Sequence, residues 1–135
     1  MIFYGMGNES AMIEDAIEAA DMAWWIMELP SGAVFFSPNK IKLLGYDEKE
    51  TSDFVHYTAF TNLLHPDDHD NTMKAMEDHL SGKVPIYQST YRIKTKSGDY
   101  KTLYDRGKII ARQGDDLALA GIVIDFTNYR PAKRD

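Results

Sequence analysis

The chain has 135 residues, of which 44% are hydrophobic and 27% charged, and its net charge is −6. This length and composition are typical of one globular domain with a hydrophobic core. The negative charge, and the lack of any Lys/Arg cluster longer than a pair, argue against nucleic acid or an anionic membrane as a partner, because both require a basic surface. The absence of cysteine excludes disulfides, thiolate metal ligands and cysteine nucleophiles.

The first residues do not have the pattern of a targeting segment. They lack the basic residues and the apolar stretch that a signal peptide needs. No run in the chain approaches the roughly 18 apolar residues of a membrane span. We therefore expect a cytoplasmic protein.

Residues 10–21 carry the pattern of an amphipathic helix. Ser10 can act as its N-cap, and small or flexible apolar residues recur at helical spacing. These positions are Met12, Ile13, Ala16, Ile17 and Ala20. The stripe is narrow, so it favours weak docking, either on the chain's own sheet or on a second copy. We treat residues 1–21 as a lead-in and helix, and expect a homodimer through residues 10–21 and the sheet.

Two strands and two short helical segments follow. Residues 23–29 are rich in aromatic and apolar side chains, and residues 33–37 return after the turn residues 30–32, which predicts a hairpin. Ser37 and Pro38 open a short helix that ends at Gly45. Residues 47–55 are polar and are predicted to be partly helical.

The stretch 60–69 leads into the longest predicted helix, which continues to Leu80. Pro66 suits the first helical position, and Asp67 and Asp68 place negative charge on the first turn, where free N–H groups favour it. The inward face is predicted from helical spacing. It consists of His69, Met73, Met76 and Leu80.

Three strands complete the pattern, at residues 87–95, 100–112 and 117–126. The tight turns between them predict an antiparallel meander, and Gly107 is the expected position of a bulge or a bend. Helices that lie between two groups of antiparallel strands give an α+β fold. The layer between sheet and helices is then the natural place for a cavity.

Residues 22–128 resemble a PAS domain, of the subgroup with a PAC-type strand region downstream. The resemblance depends on short motifs in a fixed order and spacing. They are Trp25, Gly32, Phe36-Ser37, Leu44-Gly45-Tyr46, Leu64-His65-Pro66-Asp67-Asp68, Tyr91-Arg92-Ile93 before Gly98, Gly121, and Asp125-Phe126-Thr127. Four positions depart from the family pattern, with Thr90 for the usual Glu, Ser97 for Asp, Thr102 for Trp and Phe126 for Ile.

The resemblance implies a five-stranded antiparallel sheet in the order 2-1-5-4-3 with helices across one face. It also implies a sensory or interaction role in a signalling protein, such as a histidine kinase, a cyclic-dinucleotide enzyme or a transcription regulator. Some members bind a small ligand or cofactor between helices and sheet, whereas others are ligand-free dimerisation or docking modules. Residues 129–135 would be the exit tail toward an effector domain, where Pro131 would interrupt an outgoing helix.

The residue types of this chain narrow the range of cofactors that it could share with the family. Relatives that bond flavin through a cysteine, or a chromophore through a thioester, are excluded because the chain has no cysteine. Haem is a minor alternative, because related haem sensors take an axial histidine from the long helix, where His69 and His79 lie. A structural role for both histidines is the stronger expectation. The ligand itself stays unknown from sequence.

A metal-dependent hydrolase is the third and weakest reading. His65 and His69 lie at i and i+4, and His69-Asp70 is the dyad of a metal phosphohydrolase. That enzyme class is all helical, whereas half of this chain is predicted to be strand. No nucleophile motif is present either. We therefore expect no metal ligand, no catalytic residue and a module that is not an enzyme.

The remaining hypothesis is a pocket that binds a small organic ligand without a covalent bond. Its candidate residues combine apolar and aromatic side chains from both strand groups and the helices, although any one of them could simply fill the core. They are Trp25, Met27, Phe36, Leu44, Tyr57, Phe60, Met73, Met76, Tyr91, Tyr104, Ile122 and Ile124. A shift of one residue in a strand reverses which side chains face inward. Arg92 and Asp125 are the candidates for coupling the pocket to a partner.

Overall fold

The computed structural model describes residues 9–128. The expectations for the lead-in at residues 1–8 and for the tail at residues 129–135, including Pro131, lie outside this range. The helices are α1 (Glu9–Ala19), α2 (Pro38–Leu43), α3 (Thr58–Thr61) and α4 (Pro66–Leu80), with a 3-10 helix at Glu48–Asp53. The strands are β1 (Met22–Leu29), β2 (Val34–Phe36), β3 (Tyr87–Lys94), β4 (Tyr100–Gln113) and β5 (Asp116–Asp125).

The strands form one antiparallel sheet in the order β2-β1-β5-β4-β3. The predicted hairpin and meander are therefore both present, and the pairing of β1 with β5 joins them into a single sheet. The α+β class and the strand order predicted from the sequence are confirmed. One sheet face, called the inner face below, packs against α2, α3 and α4, and the opposite face is called the outer face.

The hydrophobic core lies between the inner face and these helices. On β1 the buried residues alternate with half-buried ones, as a half-covered strand requires, and they are Ala23, Trp25 and Met27. Ile41 and Leu44 of the α2 region, and Phe60 of α3, cover them from the helix side. The core therefore joins β1 to the helices α2 and α3.

Helix α4 begins at Pro66, as the sequence predicts. The Nδ1 atom of His65 accepts a hydrogen bond from the Asp67 N–H at 3.0 Å, so the histidine caps the helix. Asp68 does more than place charge on the first turn. Its carboxylate binds the Arg92 side chain on β3, with 2.8 Å from Nε to Oδ2 and 2.9 Å from NH2 to Oδ1.

The predicted inward face of α4 is correct for Met76 and Leu80, which pack against the core. Thr72, Ala75 and His79 complete that face, at the spacing of one side of a helix. The predictions for the other two residues are wrong, because Met73 lines a groove beside α4 and the His69 side chain is 44% exposed. The bond between Asp68 and Arg92 holds the first turn of the helix against β3.

The predicted bulge at Gly107 is also wrong. The register shifts between Ile109 and Ala111 instead, whereas Gly107 stays in register with Gly121 and Tyr87. Ile109 sits where the ladder becomes irregular, and its N–H donates to His79 Nε2 at 2.9 Å. The histidine therefore satisfies a backbone donor at the irregular position.

Helix α1 lies at the outer face and contains no buried residue. Ile13 and Ile17 face an open groove of about 430 Å3, whose other wall includes Trp24, Ile26 and Ile122 of the sheet. Met12 and Ile13 are 40% and 59% exposed. Within residues 9–128, no helix combines the length and hydropathy that crossing a bilayer requires.

Candidate ligand-binding cavity

A cavity of about 100 Å3 lies between the inner face and the helices. Its wall is mainly apolar, but it also contains a lysine and an aspartate. The lining residues are Trp25, Met27, Val34, Lys40, Tyr57, Phe60, Thr61, Leu64, Thr72, Met76, Tyr87, Tyr91, Ile93 and Asp105. A concave, mostly apolar site with a few polar groups is the usual form of a small-molecule site.

The sheet side of the cavity is shaped by two glycines. Trp25, Gly121, Gly107 and Tyr87 are neighbours in register across four strands. A Cβ on Gly107 would lie 2.9 Å from Trp25 Cζ2, and one on Gly121 would also overlap the indole. The two aromatic rings therefore lie over the glycines and meet edge to face, with centroids 6.2 Å apart.

Asp105 is a buried carboxylate that the indole and a phenol hold in place. Trp25 Nε1 donates to its Oδ1 at 2.6 Å, and the Tyr91 hydroxyl donates to its Oδ2 at 2.9 Å. Burial raises the pKa of Asp105, and Lys40 and these hydrogen bonds oppose that rise. Burial and the nearby carboxylate also raise the pKa of Tyr91 well above its usual value. The phenol therefore stays protonated and keeps donating.

Lys40 reaches the cavity from α2. Its residue is only 9% exposed, and burial lowers the pKa of its ammonium, while Asp105 counteracts part of that effect. The Nζ atom lies 4.5 Å from the centroid of the Phe60 ring, a cation–π distance. Among residues 9–128, the Lys40 ammonium forms neither a hydrogen bond nor an ion pair.

A larger groove of about 530 Å3 adjoins the cavity on the α4 side. The two spaces share part of their walls, namely Met27, Tyr57, Thr61, Thr72, Met76 and Tyr87. The groove adds Leu29, Met73 and Leu80. These shared side chains form the boundary through which a molecule in the groove would reach the cavity.

The structure brings half of the predicted pocket residues to the cavity. They are Trp25, Met27, Tyr57, Phe60, Met76 and Tyr91. Phe36 packs edge to face on Phe60 at 5.5 Å, behind the wall, and Leu44 is buried in the core. Met73 lines the adjoining groove.

Tyr104, Ile122 and Ile124 do not line the cavity, so these three predictions are corrected. On β4 the buried residues are Leu103 and Asp105, which turns Tyr104 to the outer face. There its hydroxyl donates to Gln88 Oε1 at 3.2 Å. On β5 the apolar residues are continuous, so alternation could not reveal that Leu119 and Val123 face inward and the two isoleucines outward.

Neither histidine proposed for haem fits that role. His79 is buried, but its Nδ1 lies 3.1 Å from the Val84 carbonyl oxygen and its Nε2 accepts from the Ile109 N–H. His69 contacts Asp70 at 3.2 Å at the surface. Neither lines the cavity, whose volume is also far below that of a haem. Within residues 9–128, no three His, Asp or Glu side chains are grouped as a metal site.

Lys40 and Asp105 are the charged site residues that the sequence predictions missed. The other lining residues that were not predicted are Val34, Thr61, Leu64, Thr72, Tyr87 and Ile93. Lys40 precedes Leu44 by four residues, so both lie on one face of a short helix. Asp105 lies two residues from both Leu103 and Gly107, so the three share one face of β4. A charged residue in phase with apolar ones was the available signal in both cases.

The two residues proposed for coupling lie at the same end of the sheet, on β3 and β5 with β4 between them. Arg92 follows Tyr91 on β3 and binds Asp68, and this bond lowers the pKa of Asp68 to about 2. Asp125 ends β5, where it accepts from the Thr127 N–H at 2.9 Å and pairs with Lys101 at 3.4 Å. Both residues therefore tie the end of one element to another.

Comparison with known proteins gives consistent relatives. The PAS fold family matches residues 33–123. A methyl sulfide methyltransferase-associated sensor of Methanosarcina acetivorans is 28% identical over 106 residues, which are 77% of this chain and 10% of that sensor. The chain thus spans about a tenth of this curated relative.

Two solved structures show the same architecture. A sensory box histidine kinase/response regulator from Burkholderia thailandensis has a TM-score of 0.72 and 28% identity, covering 86% of this chain and 85% of that one. The N-terminal domain of a diguanylate cyclase with PAS/PAC sensor from Marinobacter aquaeolei has a TM-score of 0.67 and 18% identity, covering 78% and 95%. The latter likeness concerns the fold.

The sheet order, the helices on one face and the cavity between them define a class of α+β domains that keep a small space between sheet and helices. The match to the PAS fold family identifies the family, because it covers residues 33–123, which are most of the chain. The chain belongs to the PAS fold family. PAS domains are sensory modules of signalling proteins and are often attached to kinases.

Proposed function

We propose that this PAS domain is a sensor whose cavity binds a small organic molecule without a covalent bond. The observation that carries the proposal is the cavity between the inner face and α2 to α4, with its apolar wall and two buried charged groups, Lys40 and Asp105. Buried charges are unfavourable unless they are paired or used. A ligand gives this arrangement a use that packing alone does not.

Strand β1 is one route from the cavity to a partner. Trp25 lies on the cavity wall, whereas its neighbours Trp24 and Ile26 line the outer groove beside α1. A ligand that moves the indole therefore displaces the surface on which α1 packs. A change in the packing of α1 would reach a dimer partner or an attached effector domain.

Strand β3 offers a second route. Tyr91 contacts the cavity and Arg92, the next residue, holds the first turn of α4 through Asp68. We propose that Arg92 couples the cavity to α4, and that Asp125 passes the change from the end of β5 toward residues 129–135.

Mass spectrometry tests ligand binding directly. Native and denatured masses of the purified protein should differ by the mass of a small molecule, or added metabolites should raise the melting temperature, because a ligand of the folded state stabilises it. Equal masses together with an unchanged melting temperature across a metabolite library would contradict the proposal.

A ligand-free dimerisation or docking module is the second candidate. It is favoured by α1, which has no buried residue and exposes Met12 and Ile13 next to the open outer groove. Under this alternative, Ile13→Glu should convert a dimer into a monomer in sedimentation experiments, because it places a charge in the contact. Glu14→Gln is the matched control at the adjacent position. A dimer that survives Ile13→Glu would remove α1 from the interface.

A further inference from the structure

Lys40 differs from the other buried polar groups of the cavity wall. Tyr91 donates to Asp105, and Thr72 shares a hydrogen bond with Ser89 at 2.9 Å. The Lys40 side chain, by contrast, is buried and has no hydrogen-bond partner among residues 9–128. Its ammonium carries three donor hydrogens, so donors in this part of the cavity are in excess.

Asp105 lies near Lys40 but does not supply the missing acceptor. Its Oδ1 accepts from Trp25 and its Oδ2 from Tyr91, and within residues 9–128 Lys40 forms no ion pair with a carboxylate. Asp105 and Lys40 therefore interact only through space. The two charges nevertheless balance each other, so the wall of the cavity is close to neutral.

Charge balance decides between an anionic and an uncharged ligand. A carboxylate ligand would place two buried negative charges beside one ammonium, and the desolvation of the additional ion is costly in an apolar site. An uncharged carbonyl or hydroxyl oxygen accepts from the ammonium without that cost. Most of the remaining wall is apolar, so the rest of the ligand must be apolar too.

The geometry points to an uncharged ligand whose carbonyl or hydroxyl oxygen accepts a hydrogen bond from Lys40 Nζ, while its small apolar part fills the cavity beside Phe60 and Trp25. This inference deepens the proposed function and rests on it. The cavity of about 100 Å3 is smaller than the roughly 150 Å3 cavity that admits benzene in an engineered protein, so the part inside it is a small fragment. A longer ligand would extend into the groove past Met76.

Three probes with the same branched skeleton separate the possibilities: methyl acetate, propionate and 2-methyl-1-butene. They provide an uncharged acceptor, an anion and an apolar shape. Each is titrated at millimolar concentration into the 15N-labelled chain, with Lys40→Met as the test variant and Lys42→Met, at an exposed position of the same helix, as the control. Amide shifts of Tyr91 and Asp105 report occupancy.

Lys40→Met should weaken the binding of methyl acetate about tenfold relative to the binding of 2-methyl-1-butene. This is the effect of one hydrogen bond from a charged donor. In the natural chain propionate should bind more weakly than methyl acetate, and Lys42→Met should change neither ratio. If Lys40→Met does not fold, Lys40→Gln, which keeps an amide donor, should show a smaller loss in the same direction.

The contrary outcomes separate the two proposals. If Lys40→Met leaves the ratio of the affinities for methyl acetate and 2-methyl-1-butene unchanged, the role of Lys40 is overturned, whereas the binding cavity stays in place. Propionate binding more tightly than methyl acetate would overturn the uncharged ligand. If none of the three probes shifts the cavity residues of the natural chain, the proposed ligand-binding function fails, and this inference fails with it.

Discussion

Trp24 and Trp25 are adjacent on β1 but lie in opposite environments. Trp25 is 7% exposed, lies over two glycines and donates a hydrogen bond to a buried aspartate. Trp24 is half-buried and faces the open groove beside α1. The inner face is therefore a fixed frame around a cavity, whereas the outer face is a surface that α1 covers loosely.

Replacing each tryptophan by alanine should separate the two faces most clearly. Trp25→Ala should lower the free energy of unfolding by about 4 kcal/mol, because it removes a buried indole and one of the two side-chain donors to Asp105. Trp24→Ala should lower it by about 1 kcal/mol, since its ring is only half covered. Urea denaturation measures both values. Equal losses would contradict the distinction between a fixed inner face and a loose outer face.

Asp105→Ala should cost about 3 kcal/mol, since it leaves the Trp25 and Tyr91 donors unpaired in the interior. Asp105→Asn is the matched variant. It keeps one acceptor oxygen, so its loss of unfolding free energy should be smaller. Denaturation with guanidinium chloride gives the order of the two, and a more stable Asp105→Ala variant would show that burial of the carboxylate outweighs its hydrogen bonds.

Gly121→Ala should lower the free energy of unfolding by about 2 kcal/mol, because its Cβ would overlap the Trp25 ring and approach Arg106 O. Ala120→Val, at the next position on β5, points to the outer groove and should change stability by less than about 0.5 kcal/mol. Thermal unfolding followed by circular dichroism measures both. A neutral Gly121→Ala would show that the indole can move away from the strand.

Asp68 gives the smallest effect, and this effect depends on pH. Arg92 lowers the pKa of Asp68 from 3.8 to about 2, so the stability from this pair is fully present above pH 3.8 and is lost as the pH falls toward 2. Asp68→Asn should therefore be less stable than the natural chain at neutral pH, and the difference should shrink between pH 3.8 and 2. High salt should reduce it, since Arg92 is 43% exposed. A difference that stays constant over this pH range would contradict the assigned charge interaction.

Much of the fold follows from local sequence signals. Pro66, with the polar residues around it, fixes the start of α4, and tight turns fix the antiparallel order of β3, β4 and β5. The inward face of β3 could be predicted because apolar and polar residues alternate there. These signals are local, so they do not depend on what packs against them.

The missed features depend on contacts between distant residues. Asp68 and Arg92, which hold the first turn of α4 against β3, are 24 residues apart in sequence. The buried Asp105 accepts from Trp25 and Tyr91, which are 80 and 14 residues away. Lys40 shares a helix face with Leu44, but its burial depends on Phe60, which belongs to another helix.

The boundary between the cavity and the adjoining groove has a kinetic consequence. It consists of side chains on regular elements, and two of them, Met27 and Met76, are unbranched and flexible. Side-chain rotations of this kind are much faster than motions of whole helices, which occur in microseconds to milliseconds. A ligand would thus enter and leave the cavity without the unfolding of any segment. The fraction of occupied protein would then follow changes in the concentration of that ligand without delay.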